Sequence, residues 1–213
     1  MRALATILVS FFLSFPALAS DPTPPSVEQI NEWSSSAIND LGPQVVNVVP
    51  VTLKGGEQAF LAAVEYQRAG RNFWAGYLLV RPSLREARAL DEFGGQYNGI
   101  QLVDPHLPSQ SAVIMGRATS GQGISESSYS VVVFDGWTAE SLYTVEESDN
   151  SGECGAVVGR KCSGNRVFLN VFSGLADGPS IGLVATSVRY SSPDIEITPY
   201  TYRVESELVF LER

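Results

Sequence analysis

The stretch Phe73-Trp74-Ala75-Gly76-Tyr77-Leu78-Leu79-Val80-Arg81 decides how the chain is read. Read as a strand, it places Phe73, Ala75, Tyr77 and Leu79 on one face and Trp74, Gly76, Leu78 and Val80 on the other, because successive strand side chains alternate in direction. A strand apolar on both faces is central and covered from both sides. The stretch therefore predicts a sheet buried between layers.

Working outward toward the N-terminus, Glu57–Gln67 alternates, with Phe60, Ala62, Val64 and Tyr66 on one face, and Gln44–Leu53 is rich in Val. Lys54-Gly55-Gly56-Glu57 joins the two as a tight hairpin, since Gly-Gly tolerates the positive φ angles of such turns. Upstream, Val27, Ile30, Trp33, Ala37, Ile38 and Leu41 recur at helical steps. Ser26 reads as the N-cap with Gln29 in the capping-box position, and Gly42-Pro43 ends the segment. On the other side of the central stretch, Ser83 reads as the cap of a second helix, with Glu86 at its box position. That helix would carry Leu84, Ala87, Leu90 and Phe93 on one side and stop at Gly94-Gly95.

Beyond Gly95 the chain turns polar, with a short apolar beat at Ile100–Val103. Short strands then follow at Ala112–Ala118, Ser128–Phe134, Ser141–Val145, Arg166–Phe172, Ile181–Tyr190 and Glu196–Leu211, the last interrupted by Pro199 at an edge or bulge. Within it Val204, Ser206, Leu208 and Phe210 alternate with Glu205, Glu207 and Val209, the pattern of a strand with one wet face. The fold class expected is mainly β (α+β): antiparallel sheets, sandwich-like or strongly bent, with two short helices in the N-terminal half.

The N-terminus has a charged start at Arg2, an apolar run from Ile7 to Phe15 and the small-residue exit Ala17-Leu18-Ala19. These are the parts of a secretory signal peptide, cleaved after Ala19. The apolar run is half the length of about twenty residues that a membrane span needs. Residues 20–25 form a Pro-rich lead-in, and residues 26–213 read as a single β-rich domain with a sub-boundary near 95–110. The expected location is a bacterial periplasm or the exterior, with no membrane span after cleavage. The surplus of Arg over Lys, twelve against two, agrees with a bacterial source.

A hydrophobic content of 44% with 10% aromatics excludes a disordered chain. The net charge of −9 argues against nucleic acid, whose phosphates need clustered Lys and Arg. Export places Cys154 and Cys162 where disulfides persist. Closing so short a loop contributes about 2–3 kcal/mol on the chain-entropy account.

Chemistry-bearing motifs are sparse. Gly178-Pro179-Ser180-Ile181-Gly182 matches the nucleophile pattern G-x-S-x-G, but a strand-like run follows it where the motif needs a helix. The single histidine, His106, lies in a Pro-bounded loop with Asp104 two residues before it, able to orient it as a base. Asp149, Asn150 and Glu153 end an acidic stretch and resemble a fragment of a calcium loop, though the full ligand spacing is missing. Ser120-Gly121-Gln122-Gly123 is Gly-rich without the Lys of a phosphate loop. Trp137, Tyr97 and Tyr129 are candidate faces for stacking a ligand.

With this thin inventory of nucleophiles and bases, the expectation is a non-enzymatic exported module that binds a protein or glycan. It would carry no cofactor, calcium being the one candidate. The alternatives are a hydrolase working through carboxylates or Ser180, and a structural envelope protein.

Overall fold

The computed structural model describes residues 23–103, 110–154, 156, 161–173, 181–192 and 201–211. Two short helices, α1 (Val27–Trp33) and α2 (Ser36–Asp40), come first. They are followed by β1 (Pro43–Thr52), β2 (Gln58–Tyr66), β3 (Ala75–Arg81) and β4 (Glu86–Gly95), which form one antiparallel sheet in that order. A longer antiparallel sheet runs β5 (Ile100–Leu102), β6 (Val113–Gly121), β7 (Ile124–Asp135), β8 (Thr138–Asp149), β9 (Cys162–Ser173), β10 (Ile181–Ser192) and β11 (Thr201–Leu211). A helical turn, α3 (Ser151–Cys154), lies between β8 and β9. The mainly β expectation and the helices in the N-terminal half are seen directly.

The central stretch behaves as its pattern requires. In β3, Leu78 and Val80 pack with Phe60, Ala62 and Val64 of β2 under Ile30 and Ile38 of the helices. Tyr77 and Leu79 face the other way and meet Val113 and Met115 of β6 and Val132 and Phe134 of β7. The opposite faces of β6 and β7, through Ile114, Val131 and Val133, meet Leu183, Ala185 and Leu211. The long sheet therefore folds back on itself, and the order is helices, β1–β4, β5–β8, β9–β11. The turn of the fold-back lies where β8 and β9 pair at Ser148–Asn165 and Asp149–Gly164.

Local chemistry explains the departures from the periodic reading. Ser26 and Gln29 form the capping box, with Gln29 N donating to Ser26 Oγ at 3.3 Å and Ser26 N to Gln29 Oε1 at 2.8 Å. The expected single helix nevertheless breaks at Ser34, whose hydroxyl donates to Ile30 O at 2.8 Å and whose backbone bridges to Ala87. Ser35 then caps α2. Serines offer the backbone local alternatives to helical bonding, and three stand in a row here.

The expected second helix at Ser83–Gly95 is instead a turn followed by β4. Ser83 Oγ donates to Glu57 Oε1 at 2.7 Å and caps no helix. Ala87 lies on the helix-covered face, whereas Leu90 and Phe93 both lie on the other. The cause is a large bulge: Gly76 pairs with Gly94 and Leu78 with Ala89, so Tyr77 alone opposes the four residues Leu90 to Phe93. Extra residues on one strand reset its alternation, and the reset imitates a three-residue period.

In β11 the wet face is the unexpected one. Val209 packs inward beside buried Leu211, while Val204, Leu208 and Phe210 are 63%, 55% and 51% exposed.

One buried hydroxyl ties the two sheets together. Tyr77 lies on β3, and its phenol is shared between the carbonyl oxygens of Gly99, at 2.9 Å, and Gly116 of β6. Tyr77→Phe strips those carbonyls of this donor, and the cost expected for a lost buried hydrogen bond is about 1–3 kcal/mol. Urea unfolding of the variant checks this; an unshifted midpoint would contradict the tie.

Candidate functional site

A cleft of about 1080 Å³ lies beside the bulge of β4. Its walls are the α1–α2 pair, residues 67–74 that join β2 to β3, the bulge itself, and Arg117 and Thr119 of β6. The size suits a ligand, since such clefts commonly run about 300–1,000 Å³. Each wall follows from local sequence. The break at Ser34 swings Trp33 to the rim, and the polar loop leaves Phe73 71% exposed just before β3 begins.

The floor is bare backbone. Gly76 and Gly94 face each other across the β3–β4 ladder. A Cβ on Gly76 would come within 2.6 Å of the Tyr66 ring, so glycine is what lets that ring lie flat on the strand. Glycine inside a strand marks close approach of another group. Burial, with the charge of Asp91 nearby, raises the Tyr66 phenol to about 12.

Charges around the cleft balance. Arg68, Arg88 and Arg117 stand against Glu86, Asp91 and Glu92. Arg68 closes the end of α2, with Nε donating to Asp40 O at 2.5 Å and Nη2 to Asn39 O at 2.8 Å. Arg88 pairs with Glu86 at 2.8 Å. Arg117 Nη1 reaches the backbone carbonyl of Glu92 at 3.5 Å, which leaves the Glu92 side chain exposed. The arrangement offers three aromatic rings, of Trp33, Tyr66 and Phe73, among side chains that both donate and accept hydrogen bonds.

The residues singled out from sequence lie elsewhere. Tyr97 and Tyr129 do come together, edge to face, with ring centroids 6.3 Å apart. Tyr129 borders a smaller cleft of about 550 Å³ shared with Gln101, Ile114 and Phe168. Trp137 sits in the β7–β8 turn, but guanidinium groups occupy its ring: Arg81 at 4.8 Å and Arg88 at 4.3 Å from the centroid. Ser120–Gly123 is the end of the β6–β7 hairpin, with positive φ at Gln122 and Gly123.

Cys154 and Cys162 are disulfide-bonded, with Cα atoms 5.1 Å apart. Beside them, Asp149 Oδ1 accepts from Ser151 N at 2.7 Å. Asn150 Oδ1 accepts from Ser163 N at 2.7 Å, and its amide donates to Lys161 O at 3.1 Å. These groups shape the turn, and Glu153 contributes its backbone N–H to Gly123 O. Among the described residues no group of three or more His, Cys, Asp and Glu is placed to hold a metal ion. Asp104, His106, Ser180 and Pro199 lie outside the described residues.

Sequence reasoning missed Trp33, Tyr66, Phe73 and Asp91 as neighbours. The available signal is the polar loop ending in Phe73-Trp74, but the residues of the bulge that completes the cleft carry a helix-like spacing. The chain matches no family model, no curated protein and no solved structure.

The Tyr66 phenol sets an alkaline signature. It keeps its proton to about 12 in the folded chain, against an ordinary value of 10. Between those values the unfolded chain binds fewer protons, so stability falls as pH rises through that window. Tyr66→Phe should flatten part of the fall in melting midpoint; an identical pH profile would mean that Tyr66 is not held neutral.

Proposed function

We propose that the chain is an exported binding module whose cleft between α1–α2 and the β4 bulge holds a neutral, hydroxyl-rich ligand, an oligosaccharide. The observation that carries this reading is the combination of exposed aromatic surface with a charge-balanced lining. Aromatic faces cover the apolar C–H faces of a sugar ring, as they cover other apolar surface. Carboxylates accept and guanidiniums donate hydrogen bonds to hydroxyls. Three cations against three anions give no net attraction for a strongly charged ligand.

Export is supported by the leader-like N-terminus and by the disulfide, which belongs to oxidising compartments. No helix among the described residues is long and apolar enough to cross a membrane. A bacterial periplasm or the exterior is the proposed setting.

Calorimetric titration with a panel of neutral oligosaccharides tests the reading. Phe73→Ala should weaken the best ligand about tenfold, and Asp91→Asn should weaken it with the fold intact. If no saccharide binds, or if both variants bind like the parent, the cleft is not a glycan site. Capture of a protein that these variants lose would instead favour a polypeptide ligand.

A further inference from the structure

The ladder between β8 and β9 stops early. Among the described residues only Ser148–Asn165 and Asp149–Gly164 pair, although β9 continues to Ser173. Beyond Asn165, β9 keeps β10 on one side, and no described strand pairs with the other. Val167 fixes the direction of that open edge: its N–H donates to Glu147 Oε1 of β8 at 2.8 Å and so points away from β10. Along a strand, the N–H and C=O groups of alternate residues point to the same side. Leu169 and Val171 therefore present their backbone donors and acceptors along the open edge, beyond the point where the Glu147 carboxylate stands in for a strand partner. A cleft of about 550 Å³ adjoins this edge. Gln101, Ile114 and Tyr129 border it with Val167 and Leu169 of the inner face, and Phe168, Asn170 and Thr186 border it from the outer face, so it opens past the rim of β9. No charged side chain lines it, and it shares no residue with the cleft beside α1–α2.

We propose that this edge takes an extended peptide of a partner protein, added to β9 as one more strand. An apolar side chain of the peptide enters the cleft, and a Lys or Arg lies beside the bend. An open strand edge is a template on which another chain can pair. Peptide addition of this kind draws affinity from main-chain hydrogen bonds and specificity from pockets for alternate side chains. Both parts are present here: the backbone groups of Leu169 and Val171, and an uncharged cleft lined by Ile114, Tyr129 and Leu169.

Charge selects a basic peptide over a second copy of this chain. Glu126, Ser148 and Asn165 align in one row across β7, β8 and β9 where the open edge begins. Glu146, Glu147 and Asp149 are the neighbouring acids of β8. Arg166 pairs with Glu147 at 3.5 Å and with Asp149 at 3.4 Å. Glu126 and Glu146 are exposed and belong to no ion pair among the described residues. These two carboxylates attract a cationic residue, whereas a second copy brings the same acids and a net charge of −9 of its own. The edge is a different surface from the glycan cleft, and the proposal is independent of that reading.

Selection of a displayed library of random nonapeptides on the purified chain, followed by synthesis of the tightest binder, tests this. The expected peptide carries alternate apolar residues and a Lys or Arg near one end. Two further syntheses methylate its backbone amides at alternate positions. One set should weaken binding at least about tenfold and the other should be tolerated, because only alternate amides of an added strand face β9. Leu169→Pro removes one edge donor with a residue that edge strands accept, and Gln101→Trp fills the cleft from an exposed position. Each should weaken the peptide about tenfold or more; where Leu169→Pro lowers the melting midpoint, Gln101→Trp decides. Phe73→Ala, in the other cleft, should leave binding as it is. Enrichment of no peptide overturns the proposal, as does equal tolerance of both methylated sets or full affinity in Gln101→Trp. Loss of the peptide in Phe73→Ala overturns it in favour of the α1–α2 cleft. A doubled mass in sedimentation that Leu169→Pro abolishes overturns it in favour of a second copy on the edge.

Discussion

A strand with two apolar faces has to be covered twice, and among the described residues β2, β3, β6 and β7 are such strands. In β2 and β3 the alternating sets are Phe60, Ala62, Val64 against Ala59, Leu61, Ala63, and Leu78, Val80 against Tyr77, Leu79. In β6 and β7 they are Val113, Met115 against Ile114, and Val132, Phe134 against Val131, Val133. Each such side chain gains about 1.5–3 kcal/mol from full burial, so leaving any one face wet is unaffordable for a fold of marginal stability. The stack follows. The helices cover one face of β1–β4, that sheet and β6–β7 cover each other, and β9–β11 covers what remains.

How much of this was legible depends on where the cause lay. The two-faced pattern of Tyr77–Val80 is local, and it gave the layered arrangement correctly. The Gly55-Gly56 turn was equally plain, because positive φ at both residues is a demand on residue type. The β4 bulge was not legible, since the displacement of Leu90–Phe93 is set by the neighbouring strand and by Tyr77 reaching Gly116. The cleft inherits that blindness, because the bulge is one of its walls. In β11 the alternation itself was visible, but which face points inward is decided by Leu211 meeting Leu183 and Ile114, a contact no local pattern records.

The acidic stretch and the cysteine pair have their meaning at the fold-back. Glu147 is buried there, with Oε1 accepting from Val167 N at 2.8 Å and Oε2 from Ser127 Oγ at 2.9 Å, and it thus joins three strands with one carboxylate. Asn150 holds the start of β9, and the disulfide closes the loop from α3 to the same strand. Replacing a ladder by side-chain bonds is what lets a continuous sheet bend sharply enough to lie on itself. Two carboxylates of the acidic stretch, those of Glu147 and Asp149, thus accept hydrogen bonds within the bend.

The order of strands has a further consequence, for how the chain gets to this state. Within each sheet every strand pairs with its neighbour in sequence, with no crossover. Contacts of that kind close short loops and carry a small entropic cost of closure. Each hairpin can therefore form as soon as its second strand is available, and each finished pair offers an edge on which the next strand assembles. A chain delivered N-terminus first, from a ribosome or through a pore, meets its partners in the order in which they arrive. Sequential assembly of this sort suits a protein that must become compact without first being released whole.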